Sequence, residues 1–295
     1  MRRLVPALLA LLLAVPASRA GEPPKDNEKA AKPATPQQQY KDLVQDFNKQ
    51  MREFYQAYNK AKTPEERQKL LKQRRPPDQQ QYAAKILKLT EEHPNSKFAP
   101  EALAWVVTHT APGADDNAKA RDILLRDHIK SKAIAQIVPR LGYQQSPENI
   151  KLLERIINEN PDHQVQGQAT LTLAQTLMGQ HKDKEAEKLL QQTIKENPDH
   201  QMQGQATFTL AQMFVRQKRD KDAEKEFEKV VKDYADVKQF GRSLANQAKG
   251  ELYEMQHLAV GMMAPNIVGE DADGKKFQLS DYKGKVVVLD FWAEW

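Results

Sequence analysis

The stretch Asn160-Pro161-Asp162-His163-Gln164-Val165-Gln166-Gly167-Gln168-Ala169-Thr170 returns 37 residues later as Asn197-Pro198-Asp199-His200-Gln201-Met202-Gln203-Gly204-Gln205-Ala206-Thr207. The correspondence continues downstream, where Leu173-Ala174 is matched by Leu210-Ala211 and Glu185-Ala186 by Asp222-Ala223. One period upstream, Ser146-Pro147-Glu148 opens a segment whose Leu152-Leu153 corresponds to Leu189-Leu190, and a fainter copy begins at His93-Pro94 and Glu101-Ala102-Leu103. A repeat of this length is a helix pair that buries its apolar face only by stacking on its neighbours. The composition agrees: 39% hydrophobic against 29% charged residues suits a modular array with much exposed surface better than one large core.

The spacing resembles that of tetratricopeptide repeats. Ala174 and Ala186 stand where that family needs a small residue in the first and second helix, and Pro198 stands where the second helix stops. The Asp-His-Gln-(Val/Met)-Gln-Gly loop adds residues to the usual period of about 34, and the family's Trp, Gly and Tyr positions are unfilled. The array is expected over residues 40–260. Its apolar pattern starts at Tyr40 and runs through Leu43, Val44, Phe47, Met51, Phe54, Tyr55 and Tyr58 at three- and four-residue spacings. Thr63-Pro64-Glu65-Glu66 reads as a capping box with proline at the first helical position, and Pro76-Pro77 as a helix stop.

The first 20 residues read as an export signal: Arg2-Arg3, a short apolar run from Leu4 to Val15, and Ser18-Arg19-Ala20 as a cleavage site. Residues 21–39 are rich in Pro, Lys, Glu and Gln without apolar periodicity, which predicts a disordered tether. The net charge of +5 falls to about +2 once Arg2, Arg3 and Arg19 leave with the signal. Without a clustered basic face and interleaved aromatics, nucleic-acid binding is not expected.

From Gly261 the pattern changes from helical to strand-like. Asp273-Gly274 predicts a tight hairpin between Asn266-Ile267-Val268 and Lys276-Phe277-Gln278-Leu279. Ser280-Asp281-Tyr282-Lys283-Gly284-Lys285 then leads into an uninterrupted aliphatic strand, Val286 to Phe291, of the kind that lies in the middle of a sheet. Ala264-Pro265, Asp273-Gly274-Lys275, Leu279-Ser280-Asp281, Lys283-Gly284-Lys285 and Phe291-Trp292-Ala293-Glu294-Trp295, in that order, resemble the thioredoxin superfamily. The branch concerned includes exported thiol-disulfide reductases and the alkyl hydroperoxide reductase/thiol-specific antioxidant group. The fold class is therefore mostly α, a helical-repeat array followed over 261–295 by an incomplete thioredoxin-like α/β fragment.

The resemblance implies a Cys-x-x-Cys directly after Trp295, yet the sequence contains no cysteine. It implies that Asp290 is the buried acid beneath the dithiol, serving as general base for the resolving cysteine, that Trp295 contacts substrate, and that Trp292 packs beneath the site. In the chain as it stands Asp290 is expected to be an exposed residue at a strand end, and the chain to be inactive. A UGA codon after Trp295, read in the cell as selenocysteine, is one explanation of the ending; a fragment boundary is the other.

His163 and His200 occupy equivalent Pro-Asp-His-Gln contexts and read as turn and cap residues rather than metal ligands. The remaining histidines show no paired zinc spacing, and Asp271-Ala272-Asp273-Gly274 is a turn without the later ligands of a calcium loop. No metal and no cofactor are expected. The leading reading is an exported thiol-disulfide oxidoreductase whose repeats bind a protein disulfide substrate or redox partner. The alternatives are a non-enzymatic repeat adaptor with a vestigial redoxin fragment, and a peroxide-reducing antioxidant protein.

Overall fold

The computed structural model describes residues 34–143, 145–290 and 292. The expected signal and the tether up to residue 33 lie outside the described residues. Twelve α-helices are present among them: α1 (Pro36–Lys60), α2 (Pro64–Gln73), α3 (Gln79–Glu92), α4 (Ala99–His109), α5 (Asp115–Asp127), α6 (Val138–Tyr143), α7 (Pro147–Glu159), α8 (His163–Gly179), α9 (Asp183–Glu196), α10 (His200–Arg216), α11 (Asp220–Asp233) and α12 (Leu244–His257). Two short antiparallel ribbons join them, β1 (Lys238–Gln239) with β2 (Arg242–Ser243) and β3 (Val268–Glu270) with β4 (Lys276–Gln278). The fold is mostly α, as the periodicity predicts.

Helix α1 begins at Pro36, so residues 36–39, expected to belong to the tether, are helical. Proline at a helix start surrenders no hydrogen bond, and Gln38 donates to Asp42 one turn on. The helix is fixed by aromatics. Phe47 meets the rings of Tyr82 and Trp105 edge-on at 5.3 and 5.2 Å, and Trp105 stacks on His109 at 4.0 Å. Each such ring pair contributes about 1 kcal/mol beyond the area it buries. Burial holds the His109 imidazole below its ordinary pKa. The capping box at Thr63 forms as read, but α2 stops at Gln73, before Pro76-Pro77, with Arg74 already extended.

From α7 onward each helix packs on the next in sequence, because turns of three residues between α8 and α9 and between α10 and α11 leave no other course. Equivalent positions fill equivalent places. Leu153, Leu190 and Phe227 are fully buried in α7, α9 and α11, and Ala174, Ala186, Ala211 and Ala223 are fully buried where helices cross. Gly167 is required by close packing, since a Cβ there would lie 2.5 Å from Cγ of Met202.

The conserved wording of the repeat is a polar relay at the boundary between helix pairs. Asn160, almost wholly buried, donates from Nδ2 to the carbonyls of Ile129 (2.6 Å) and Ser131 (3.1 Å), and its Oδ1 accepts from the amide of Asp162 (2.9 Å). Asp162 caps α8 by accepting from the amides of Gln164 and Val165. Gln166 closes the loop by donating to the Asn160 carbonyl at 2.8 Å. In the next copy Asn197 donates to the His163 carbonyl (2.9 Å) and accepts from the Asp199 amide (2.8 Å), while Gln203 donates to the Asn197 carbonyl (2.9 Å). The Val165 amide, followed by Lys132 at 3.1 Å, holds the Asp162 carboxyl below its ordinary pKa. That contribution is complete above the ordinary carboxylate range and is lost as pH falls through the lowered value.

Helices α8 and α10 end alike. His181 and Lys218 adopt left-handed conformations (φ 60° and 57°), and the amides of Lys182 and Arg219 reach back to the carbonyls of Leu177 and Phe214, both at 2.9 Å. This is the helix ending that favours glycine. Replacing Lys218 by Gly should therefore raise stability by about 1 kcal/mol, and unchanged denaturant midpoints would refute the assignment. Asn160→Ala strands two carbonyls and should lower stability by about 2 kcal/mol in the same measurement.

Candidate functional site

The C-terminal segment is built from local turns. Asp271 organises the hairpin: its Oδ1 accepts from the amides of Asp273 (3.0 Å) and Lys275 (2.9 Å), and its carbonyl accepts from Gly274, whose φ of 77° only glycine adopts freely. The connection thus spans Asp271 to Lys275, and the ladder pairs Val268 with Gln278, Gly269 with Phe277 and Glu270 with Lys276. The hairpin forms around Asp273-Gly274 as expected, with its first strand running two residues further, to Glu270, than the expected end at Val268. The Leu279 amide adds a further bond to the Ile267 carbonyl at 2.8 Å. The Leu279-Ser280-Asp281 motif forms a 3₁₀ turn (Leu279–Tyr282), in which Asp281 accepts from the Gln278 amide and Ser280 donates its amide to Asn266 Oδ1 at 2.9 Å.

Beyond Lys285 the expected central strand has no ladder. Val286 to Asp290 pairs with no strand among the described residues, and Val286, Val288 and Leu289 are 98%, 88% and 51% exposed. The correction has a non-local cause. A central strand needs a neighbour on each side, and the hairpin of β3 and β4 pairs only with itself. Asp290 is exposed in this setting, not buried, and Trp292 is 81% exposed rather than packed beneath a site. Phe291 and Trp295 lie outside the described residues. After Ala248 no described residue is buried. The structure therefore brings Asp290 together with none of the partners that the thioredoxin resemblance implies.

The two repeat histidines sit at helix starts. His163 Nδ1 lies 3.0 Å from Gln166 Oε1, and His200 Nε2 lies 3.1 Å from Asp236 Oδ1 with its ring 5.0 Å from that of Tyr234. Neither faces a cluster of potential metal ligands among the described residues.

Two grooves in the array were not anticipated from sequence. One, about 790 Å³, lies between α7 and α9 over α8; buried Leu173 and Leu177 form its floor, and Glu154, Lys182, Glu185 and Lys188 border it. The other, about 590 Å³, is lined by α6, α8, α10 and the ribbon of β1 and β2. Gln164, Gln168 and Thr172 from α8 stand beside Gln201, Gln205 and Thr209 from α10, with exposed Tyr143 and Phe240 among the lining residues. The signal for this second groove was the repetition of three glutamines per repeat, of which the structure uses only Gln166 and Gln203 for itself.

Since Val286 and Val288 contact no core, the double substitution Val286→Lys with Val288→Lys should leave the unfolding midpoint within about 0.5 kcal/mol of the parent. It should also reduce aggregation measured by light scattering, because exposed aliphatic strands pair between molecules. A large loss of stability would mean the strand is packed.

Comparison with known proteins places the resemblance in this same segment. Residues 260–295 match the model of the AhpC/TSA family. The thiol-disulfide oxidoreductase ResA of Bacillus subtilis (strain 168) is 50% identical over 40 residues, covering 14% of this chain and 22% of that protein. ResA of Bacillus thuringiensis subsp. konkukian (strain 97-27) is 43% identical over 47 residues, 16% of this chain and 27% of its own. ResA of Geobacillus thermodenitrificans (strain NG80-2) is 45% identical over 42 residues, 14% and 24% respectively. The chain spans about a quarter of the length of these curated relatives. No solved structure matches. Residues 260–295 are thus similar to the AhpC/TSA family and to thiol-disulfide oxidoreductases over the segment that holds the hairpin of β3 and β4 and the aliphatic run Val286 to Leu289.

Proposed function

We propose that this protein is an exported thiol-disulfide oxidoreductase in which a tetratricopeptide-like array, residues 40–260, holds a protein partner for a redoxin domain that opens at residue 261. The observation that carries the reading is the match of the C-terminal segment, in order and spacing, to relatives named as thiol-disulfide oxidoreductases. Export rests on the leader-like sequence of residues 1–20. The mixed-charge groove between α7 and α9, with its apolar floor, suits a protein partner, which would supply the disulfide.

The chemistry follows from thiol exchange. A thiolate attacks one sulfur of the substrate disulfide, forming a mixed disulfide and releasing one substrate thiolate. A second enzyme thiol then displaces the other substrate sulfur, leaving an enzyme disulfide and a reduced substrate. Asp290 would accept the proton of that second thiol, the role that the resemblance implies for it. Trp295 would contact the substrate. None of the 295 residues is a cysteine, and on this reading the attacking thiol is not among them. Dithiol exchange is favoured over peroxide reduction because the resemblance places Phe291-Trp292-Ala293-Glu294-Trp295 directly before a Cys-x-x-Cys.

Reading the codons that follow Trp295 tests this directly. A Cys-x-x-Cys, or selenocysteine in the first position, is the expected result, and any other continuation overturns it. In the protein so extended, Asp290→Asn should slow reduction of a model protein disulfide by about 100-fold at neutral pH. An unchanged rate would remove Asp290 from the mechanism.

A further inference from the structure

The groove on α6, α8 and α10 has a lining unlike the rest of the surface. Only one of its seventeen residues, Lys238, is charged, in a chain that is 29% charged. Its walls are amides and hydroxyls in matched rows, Gln164 and Gln168 on α8 and Gln201 and Gln205 on α10. The third glutamine of each motif, Gln166 or Gln203, is tied to a backbone carbonyl. The side-chain amides of these four, in contrast, have no hydrogen-bond partner among the described residues. Gln168 and Gln205 are half-buried nonetheless. Each amide offers donors and an acceptor from one planar group.

The edge of the groove carries two aromatic rings. Tyr143 is 85% exposed and Phe240 is 96% exposed. Phe240 occupies the tip of the ribbon of β1 and β2 at φ 50°, followed by Gly241 at φ 77°. This tight turn favours Asn, Asp or Gly at its first central position, and a phenylalanine there is strained. A strained conformation that holds an apolar ring in water, against both folding and solvation, points to use of the ring by a ligand.

From this we infer that the groove binds an uncharged glycan chain. Sugar rings carry edges of hydroxyls that both donate and accept, matching the paired amides, and flat C–H faces that suit exposed aromatic rings. The near-absence of charge excludes strongly ionic ligands. An extended polypeptide is the weaker fit, because its alternate side chains need pockets and buried Leu171 and Met202 close the floor. The volume of about 590 Å³ lies within the usual range for a ligand site, about 300–1,000 Å³. The inference is independent of the redox reading, since it uses no residue beyond Gly241.

The test uses the full chain and a panel of neutral oligosaccharides that includes chitohexaose and maltohexaose, with calorimetry on any that are retained and an uncharged peptide of comparable length beside them. At least one oligosaccharide should bind, with affinity little changed by salt. Phe240→Asn suits the turn better than Phe and should keep or raise the melting temperature. It should weaken binding by about tenfold or more, as should Gln168→Ala with Gln205→Ala, which breaks no internal bond. Retention of no glycan, binding of the peptide alone, or binding indifferent to both variants would overturn the proposal.

Discussion

The buried side chain of Asn160 and its counterpart Asn197 set the geometry on which the array depends. A helix pair of this kind has one apolar face too many, and that face is covered only if the next pair arrives at the right height and angle. The Asn side chain fixes both. It donates to the backbone of the preceding unit and accepts from the amide of the residue that caps the following helix. Gln166 and Gln203 then lock the linking carbonyl. With this boundary in place, Gly167 can approach Met202 and Leu153, Leu190 and Phe227 can occupy equivalent places. The polar bonds set the register, and the apolar stack supplies most of the stability, about 1.5–3 kcal/mol for each large side chain buried.

Local chemistry made much of this legible in the sequence. The capping box at Thr63 and the small residues at helix crossings could be read in one dimension, whereas the caps of α8 and α10 fall on Asp162 and Asp199 rather than on the neighbouring His163 and His200. Helix ends were harder. His181 and Lys218 take the conformation that glycine marks elsewhere, and nothing in their identity announces it. The start of α1 at Pro36 was hidden by a composition that also suits a tether, because it is Phe47 against Tyr82 and Trp105 that fixes the helix. The role of the spare glutamines was hidden as well, since only the structure separates Gln166, whose side chain donates to the Asn160 carbonyl, from Gln164 and Gln168, whose side chains make no such bond.

The C-terminal segment shows the opposite balance. Its turns form as the residues direct, with Asp271 and Gly274 closing the hairpin and Asp281 capping the turn after it. Its strand cannot be completed locally. Val286 to Leu289 have the aliphatic content of a sheet centre and the exposure of a loop, because strand pairing is a property of neighbours rather than of sequence. The same cause leaves Asp290 exposed to water. The similarity over residues 260–295 and the exposed acid are therefore compatible, because among the described residues nothing encloses Asp290.

Hydrogen exchange across the full chain is the most direct measure of this division between a self-sufficient array and a segment whose aliphatic run has no strand partner among the described residues. Amides within α8 to α11 should exchange only through global opening, while those of Val286 to Leu289 should exchange at nearly the rate of an unfolded chain. Protection of Val286 to Leu289 equal to that of α9 would contradict the account, because it would mean that the strand already has its partners.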